Sequence, residues 1–171
     1  MDFVVEPEEG HWIVRGARQV WRCAIGRAGV TATKREGDGA TPVGAWPLRR
    51  VLYRPDRLEP PETRLPTRPL SPSDGWCDDP GDPAYNLPVT LPHPARHERL
   101  WREDAIYDVI VVLGHNDDPP IAGLGSAIFL HVARPDYAPT EGCVALSLPH
   151  LRELLRAAAT SSQLRIAPGR A

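Results

Sequence analysis

A mainly β fold, a sandwich or open barrel with one C-terminal helix, is what this sequence predicts, on three observations. Proline occupies 20 of 171 positions, more than twice the usual roughly 5%. At that density it interrupts long helices and stays out of central strands. Short β-branched and aromatic runs recur between Gly, Pro, Asn and Asp. A clear helical spacing of apolar residues appears in one place, after Ser147. The length suits a single domain, residues 1–171.

Composition narrows the functions. Charges nearly cancel, with a formal net charge of −2, so no strong pull toward nucleic acid is expected. No apolar stretch approaches the roughly 18 residues of a membrane span. Met1 to Gly10 is acidic and lacks the basic start and longer apolar region of a secretory signal. Cysteines at 23, 77 and 143 suggest neither a disulfide framework nor a zinc site. These features predict a cytoplasmic protein, with the periplasm as the alternative. The oligomeric state is not readable.

Phe3 to Gly26 is strand-like. Trp12-Ile13-Val14 and Val20 to Ile25 flank a Gly-containing turn and read as a hairpin, with Cys23 a core thiol. Residues 34 to 42, KREGDGATP, form a polar loop without a phosphate-cradling pattern. Lys34 and Arg35 in it are expected to be solvated charges, with contact to a substrate carboxylate as the alternative. Gly44 to Arg54 reads as a strand, edge-like because of Pro47.

A Pro-rich segment of about 55–98 follows, too long for an ordinary connection. It is either a lid over a cleft or poorly ordered. Trp76, Tyr85 and Asn86 stand out in it. His93 and His97 are spaced i, i+4, but Pro94 lies between them, so a helical zinc pair is not expected. Ile106 to Leu113 is β-branched and continuous, a central strand. His115, Asn116 and Asp117 lie at its mouth. After the last strand pair, Ser147 caps a helix with Pro149 in its first turn. Leu151, Leu154, Leu155 and Ala158 form its apolar stripe, expected to clamp the preceding strand. Gln163 to Ala167 closes the sheet.

The chemistry concentrates in Ser126 to Ser147, SAIFLHVARPDYAPTEGCVALS. An apolar run delivers His131 at its end. A Pro-rich loop leads to Gly142-Cys143 and a second apolar run. A hairpin-like return would bring thiol and imidazole together. A free thiol is a weak nucleophile until a base or cation draws off its proton, and a histidine in reach does so. The amides of Cys143 and Gly142 offer an oxyanion hole. The bland alternative is a buried cysteine that only packs.

This stretch resembles the catalytic motif of the L,D-transpeptidase (YkuD-like) family, with His131 followed by Thr140-Glu141-Gly142-Cys143. Lys34 to Trp46, KREGDGATPVGAW, is similar to that family's Thr-Pro-x-Gly segment, and Asn116-Asp117 is a third match. The three motifs occur in the family's order, over about residues 12 to 156. Two positions depart from the common form. Glu141 stands where His usually precedes Gly-Cys, and Val144-Ala145-Leu146 follows where Arg or Asn is usual.

The resemblance implies cysteine acyl transfer on a peptidoglycan stem peptide or muropeptide, without cofactor or metal. Cys143 would be the nucleophile and His131 the general base and acid, with the imidazole oriented by the Val132 carbonyl. Gly142 would contribute to the oxyanion hole. Substrate contacts are expected from Trp76, Tyr107, Asn116, Thr140 and Glu141. An amine acceptor gives transpeptidation, and water gives L,D-carboxypeptidation of recycled muropeptides. The alternative of another class is a wall-peptide binding domain without catalysis.

Overall fold

Strands β1 (Phe3–Glu8), β2 (His11–Arg15) and β3 (Val20–Ala24) open the chain as an antiparallel meander. The first turn is Glu9-Gly10, with φ of +45° and +85°. Both central residues of a type I′ turn need positive φ, which glycine adopts freely. The computed structural model describes residues 1–169. The remaining strands are β4 (Val30–Thr31), β5 (Thr41–Pro42), β6 (Gly44–Tyr53), β7 (Thr67–Pro69), β8 (Asp74–Cys77), β9 (Pro88–Thr90), β10 (His97–Arg99), β11 (Val109–Leu113), β12 (Phe129–Val132), β13 (Val144–Leu146) and β14 (Gln163–Ile166), with helix α1 (Leu148–Ala157) between the last two.

The fold is mainly β, as the sequence predicts. The main sheet runs β11-β12-β13-β3-β2-β1-β14-β6, with β7 attached beyond β6. A further pairing of β6 with β11 returns the order to its start, so eight strands form a barrel-like ring. β6 makes this possible. Its first half, Gly44 to Pro47, pairs with β14. Its second half pairs with β11, with an irregularity at Arg49 where the register shifts. The edge-strand expectation for β6 is therefore wrong. Pro47 lies at the hand-over between the two partners, where a residue without an N–H fits.

β11 is buried along its whole length, and its two faces meet different neighbours. Val109, Val111 and Leu113 join Leu130, Val132, Val144 and Leu146 in the main core, against α1. α1 presents Leu151, Leu154 and Leu155, each fully buried, and Ser147 Oγ accepts its cap bond from the His150 amide. Ile110 and Val112 face the other way, with Phe129 and Cys143.

That second face is covered by the Pro-rich segment, which is ordered. β8, β9 and β10 form a separate three-stranded sheet, β10-β8-β9. It buries Leu70, Trp76 and Leu100 against Phe129, Ile110 and Val112. Each such side chain contributes roughly 1.5–3 kcal/mol. No helix among the described residues is long and apolar enough to cross a membrane.

Candidate active site

β12 and β13 run parallel, with Leu130 opposite Val144 and His131 opposite Ala145. The hairpin-like return expected between them is replaced by a crossover loop. This register sets Cys143, the residue before β13, beside Phe129. Side chains alternate along a strand, so Phe129 and His131 share one face. It is the face beneath the three-stranded sheet. Cys143 and His131 are both nearly enclosed, at 8% and 5% exposure.

The thiol donates to the Ala127 carbonyl at 3.2 Å, and its sulfur accepts from the Phe129 amide at 3.3 Å. Ala127 holds a φ of +53°, a conformation that L-residues with a side chain seldom adopt. Nδ1 of His131 lies 3.0 Å from the Val132 carbonyl. A carbonyl can only accept, so Nδ1 carries the proton and Nε2 keeps its lone pair. Burial, above all, lowers the His131 pKa to about 4. Burial, with the charge of Glu98, raises the Cys143 thiol to about 12. The resting pair is a neutral thiol and a neutral imidazole.

Aromatic rings join the lid to His131. Trp76 meets Phe129 edge-on at 5.1 Å between centroids, Phe129 meets Tyr107 at 5.9 Å, and Tyr107 meets His131 at 5.3 Å. The Tyr107 hydroxyl donates to Glu98 on β10. Tyr107 itself precedes β11, which starts at Val109 and not at Ile106 as expected.

Thr140 builds the turn that presents Cys143. Its Oγ1 donates to the Cys143 carbonyl at 2.6 Å and accepts from the Gly142 amide at 3.1 Å. The Gly142 amide, expected to line an oxyanion hole, is thus already committed, and the Cys143 amide is left for that part. Gly142 has φ +142°, and a Cβ there would lie 2.9 Å from the Ala40 carbonyl. The next nearest atom is Lys34 Nζ at 3.3 Å. Lys34 is no solvated loop charge. Its side chain is 8% exposed, and it donates to Asp38 at 2.5 Å and to the Ala40 carbonyl at 2.8 Å. It is a buried cation beside the turn that presents Cys143. Glu141 points outward, 86% exposed, and pairs with Arg27.

Asn116 lies at the mouth of β11 with φ +50°. Its side chain is spent on its own loop, donating to the Ile121 and Gly125 carbonyls and accepting from the Ile121 amide. His115 is buried and edge-on to Trp46. The lid reaches this region through Asn86, whose Nδ2 donates to the carbonyls of His115 and Asn116. A cavity of about 130 Å³ lies between lid and sheet, lined by Arg50, Trp76, Asn86, Asp117 and Phe129 among others.

Sequence reasoning missed Lys34, Glu98 and Asn86 as site residues. Lys34 and Asp38, i and i+4 in a Gly-rich loop, were the available signal for the first. Asn86 stood out without a role, and Glu98 gave no signal.

A family model of the L,D-transpeptidase catalytic domain matches residues 3–166 of the chain. No curated protein matches it.

Proposed function

The chain belongs to the L,D-transpeptidase catalytic domain family, whose members act on peptidoglycan peptides, and from that premise we propose that it transfers acyl groups through Cys143. The observation that carries this reading is the shared face of Cys143 and His131. The thiol sits beside Phe129, and the imidazole lies two residues along the same strand with Nδ1 fixed by Val132. Nε2 is then the base.

In this reading Sγ attacks the carbonyl that joins the L-centre of the third stem residue to the terminal D-Ala. The thiol proton turns from the Ala127 carbonyl to Nε2 of His131 as the S–C bond forms. The carbonyl electrons move to oxygen, held by the Cys143 amide and by the positive field of Lys34. Collapse breaks the C–N bond, and His131 returns the proton to the departing D-Ala amine. The product is a thioester on Cys143. An acceptor then gives its proton to His131 and attacks the thioester, restoring the thiol.

Two acceptors complete the same cycle. An amine of a second stem gives a cross-link, and water gives a shortened tripeptide. The hydrolytic outcome suits a cytoplasmic enzyme of muropeptide recycling, and the amine outcome suits one acting on the wall in the periplasm. In this reading Thr140 serves the nucleophile's turn, and Trp76, which lines the cavity between lid and sheet, would meet the stem peptide together with Tyr107 and Glu141.

The test is mass spectrometry of the protein with a stem tetrapeptide, with and without a free D-amino acid, beside Cys143→Ala and His131→Gln. Loss of terminal D-Ala, or its exchange, that vanishes in Cys143→Ala supports the reading. Turnover by Cys143→Ala equal to the parent would overturn it. Loss without exchange identifies water as the acceptor, and exchange or dimers identify an amine.

A further inference from the structure

The pleat that turns Trp76 onto Phe129 turns the next residue, Cys77, to the opposite side of the lid sheet. Cys77 is fully buried there. Its Sγ lies 3.8 Å from Oδ1 of Asp82. Nε2 of His93 lies 3.5 Å from the same oxygen. The three ligand-type atoms all fall within 4.8 Å of one another. Nε2 of His93 is buried and makes no hydrogen bond among the described residues.

We propose that Cys77, Asp82 and His93 form a site for a divalent cation of the zinc class, which staples the lid. Zinc bonds of about 2.0–2.3 Å in a tetrahedron put ligand atoms about 3.3–3.8 Å apart. The two distances to Asp82 meet that condition before any cation is present. Thiolate, imidazole and carboxylate together favour zinc over magnesium or calcium, which take oxygen ligands. Their charges also balance. One thiolate and one carboxylate neutralise a divalent ion, and the thiol proton leaves to solvent on binding. The cation accounts for the otherwise unpartnered His93 nitrogen.

The surroundings already fix the ligands. Asp82 Oδ1 accepts from the Ala84 amide at 2.7 Å, which orients the carboxylate and leaves a second lone pair of that oxygen for the ion. Cys77 is held by backbone bonds to Leu87 and Asn86. His97 lies opposite Cys77 across β10 and β8, and its ring is 6.1 Å from that of His93. No site was expected from the sequence, because an i, i+4 pair of histidines binds metal on a helix, and Pro94 between His93 and His97 forbids one. The cluster is assembled by a strand and a returning loop instead.

The site bears on activity only through the lid, so its test is direct binding. The full chain, stripped of metal by a chelator, is titrated with zinc against a chromophoric competitor. About one equivalent is expected, with Cys77→Ser and His93→Gln each weakening it by about tenfold or more. Cys143→Ala binds as the parent does. Cobalt in place of zinc gives a sulfur-to-cobalt charge-transfer band, present in the parent and in Cys143→Ala and lost in Cys77→Ser. Zinc raises the melting temperature of the parent more than that of His93→Gln, which also reports that the variant is folded. A parent that takes up no zinc overturns the proposal. So does zinc held equally by the two ligand variants, or lost in Cys143→Ala.

Discussion

Asn86 Oδ1 accepts the Ala127 amide at 3.0 Å, and the carbonyl of Ala127 in turn accepts the Cys143 thiol. One lid side chain thus holds the residue that holds Cys143. Oδ1 also takes Trp76 Nε1 at 3.0 Å, and Nδ2 serves two carbonyls at the mouth of β11. All of the amide's hydrogen-bonding directions are used. Such a filled polar junction fixes geometry, and removing its centre leaves several buried groups unpaired.

Asn86→Ala is therefore expected to loosen the lid more than the barrel. It strands Trp76 Nε1 and the Ala127 amide and places Ala at φ +58°, where asparagine is better tolerated. A loss of about 2–4 kcal/mol in urea unfolding is expected. Alkylation of Cys143, followed by peptide mapping, should speed up by more than that of Cys23 in the main core. Equal acceleration at both thiols would mean global unfolding and would refute the junction.

Burial keeps both His131 and His115 neutral, with each pKa lowered from 6.5 to about 4. The unfolded chain protonates them below pH 6.5 and the native chain does not. Unfolding then takes up protons, so stability falls as pH drops from 6.5 toward 4 and is flat above that window. His131 alone accounts for about 3 kcal/mol of the fall. Comparing urea midpoints at pH 7 and 4.5 tests this, and His131→Gln should shrink the difference. An unchanged pH slope in the variant would show that His131 titrates normally.

The candidate pair, Cys143 and His131, was legible because it lies on chain signals that survive folding. An apolar run ending in His131, and Gly142-Cys143 before another, each mark a strand end. The helix was legible for the same reason, since Ser147 and the leucine stripe are local. What could not be read depends on contacts distant in sequence. Lys34 is buried only because the 34–39 loop packs on the Gly142 turn. Asn86 matters only because the lid meets residues 115, 116 and 127. Pro47 suggested an edge because local chemistry says nothing of a strand that changes partners midway. The parallel run of β12 and β13 was hidden likewise, since an eleven-residue loop with two prolines permits either direction.

Gly142→Ala tests the turn. The backbone angle there suits glycine, and the new methyl would press on the Ala40 carbonyl at 2.9 Å, which is backbone. The turn must shift, carrying Cys143 with it. A misplacement of about 1 Å costs on the order of 10²-fold in rate. Single-turnover release of D-Ala should fall by that order while the unfolding midpoint changes by about 1–3 kcal/mol. Parent-like turnover would show that the turn tolerates a side chain and that glycine is incidental.

Lys34→Met separates charge from packing. In the proposed mechanism the ammonium would support the thiolate and oxyanion through its field, while its stem packs near Gly125. Met keeps much of the stem's bulk and removes the charge, leaving Asp38 with its amide bonds from Arg35 and Ala40. The expected result is a fall of about 10–100-fold in kcat with little change in KM, as for any interaction made mainly in the transition state. A rise in KM at constant kcat would instead make Lys34 a substrate anchor.

Arg27 and Glu141 make a contrasting case, because both are exposed and their pair contributes at most about 1 kcal/mol to stability. Glu141→Gln should leave the unfolding midpoint within about 0.5 kcal/mol. It releases the Arg27 guanidinium next to the Gly142–Cys143 turn, where the proposed anionic stem peptide would arrive. KM for the tetrapeptide should then fall several-fold, with kcat little altered. Because the effect is electrostatic and solvent-exposed, raising salt from about 0.05 M to 0.5 M should erase most of it. If KM were unchanged at low salt, Glu141 would not govern access, and its departure from the family's common histidine would need another cause.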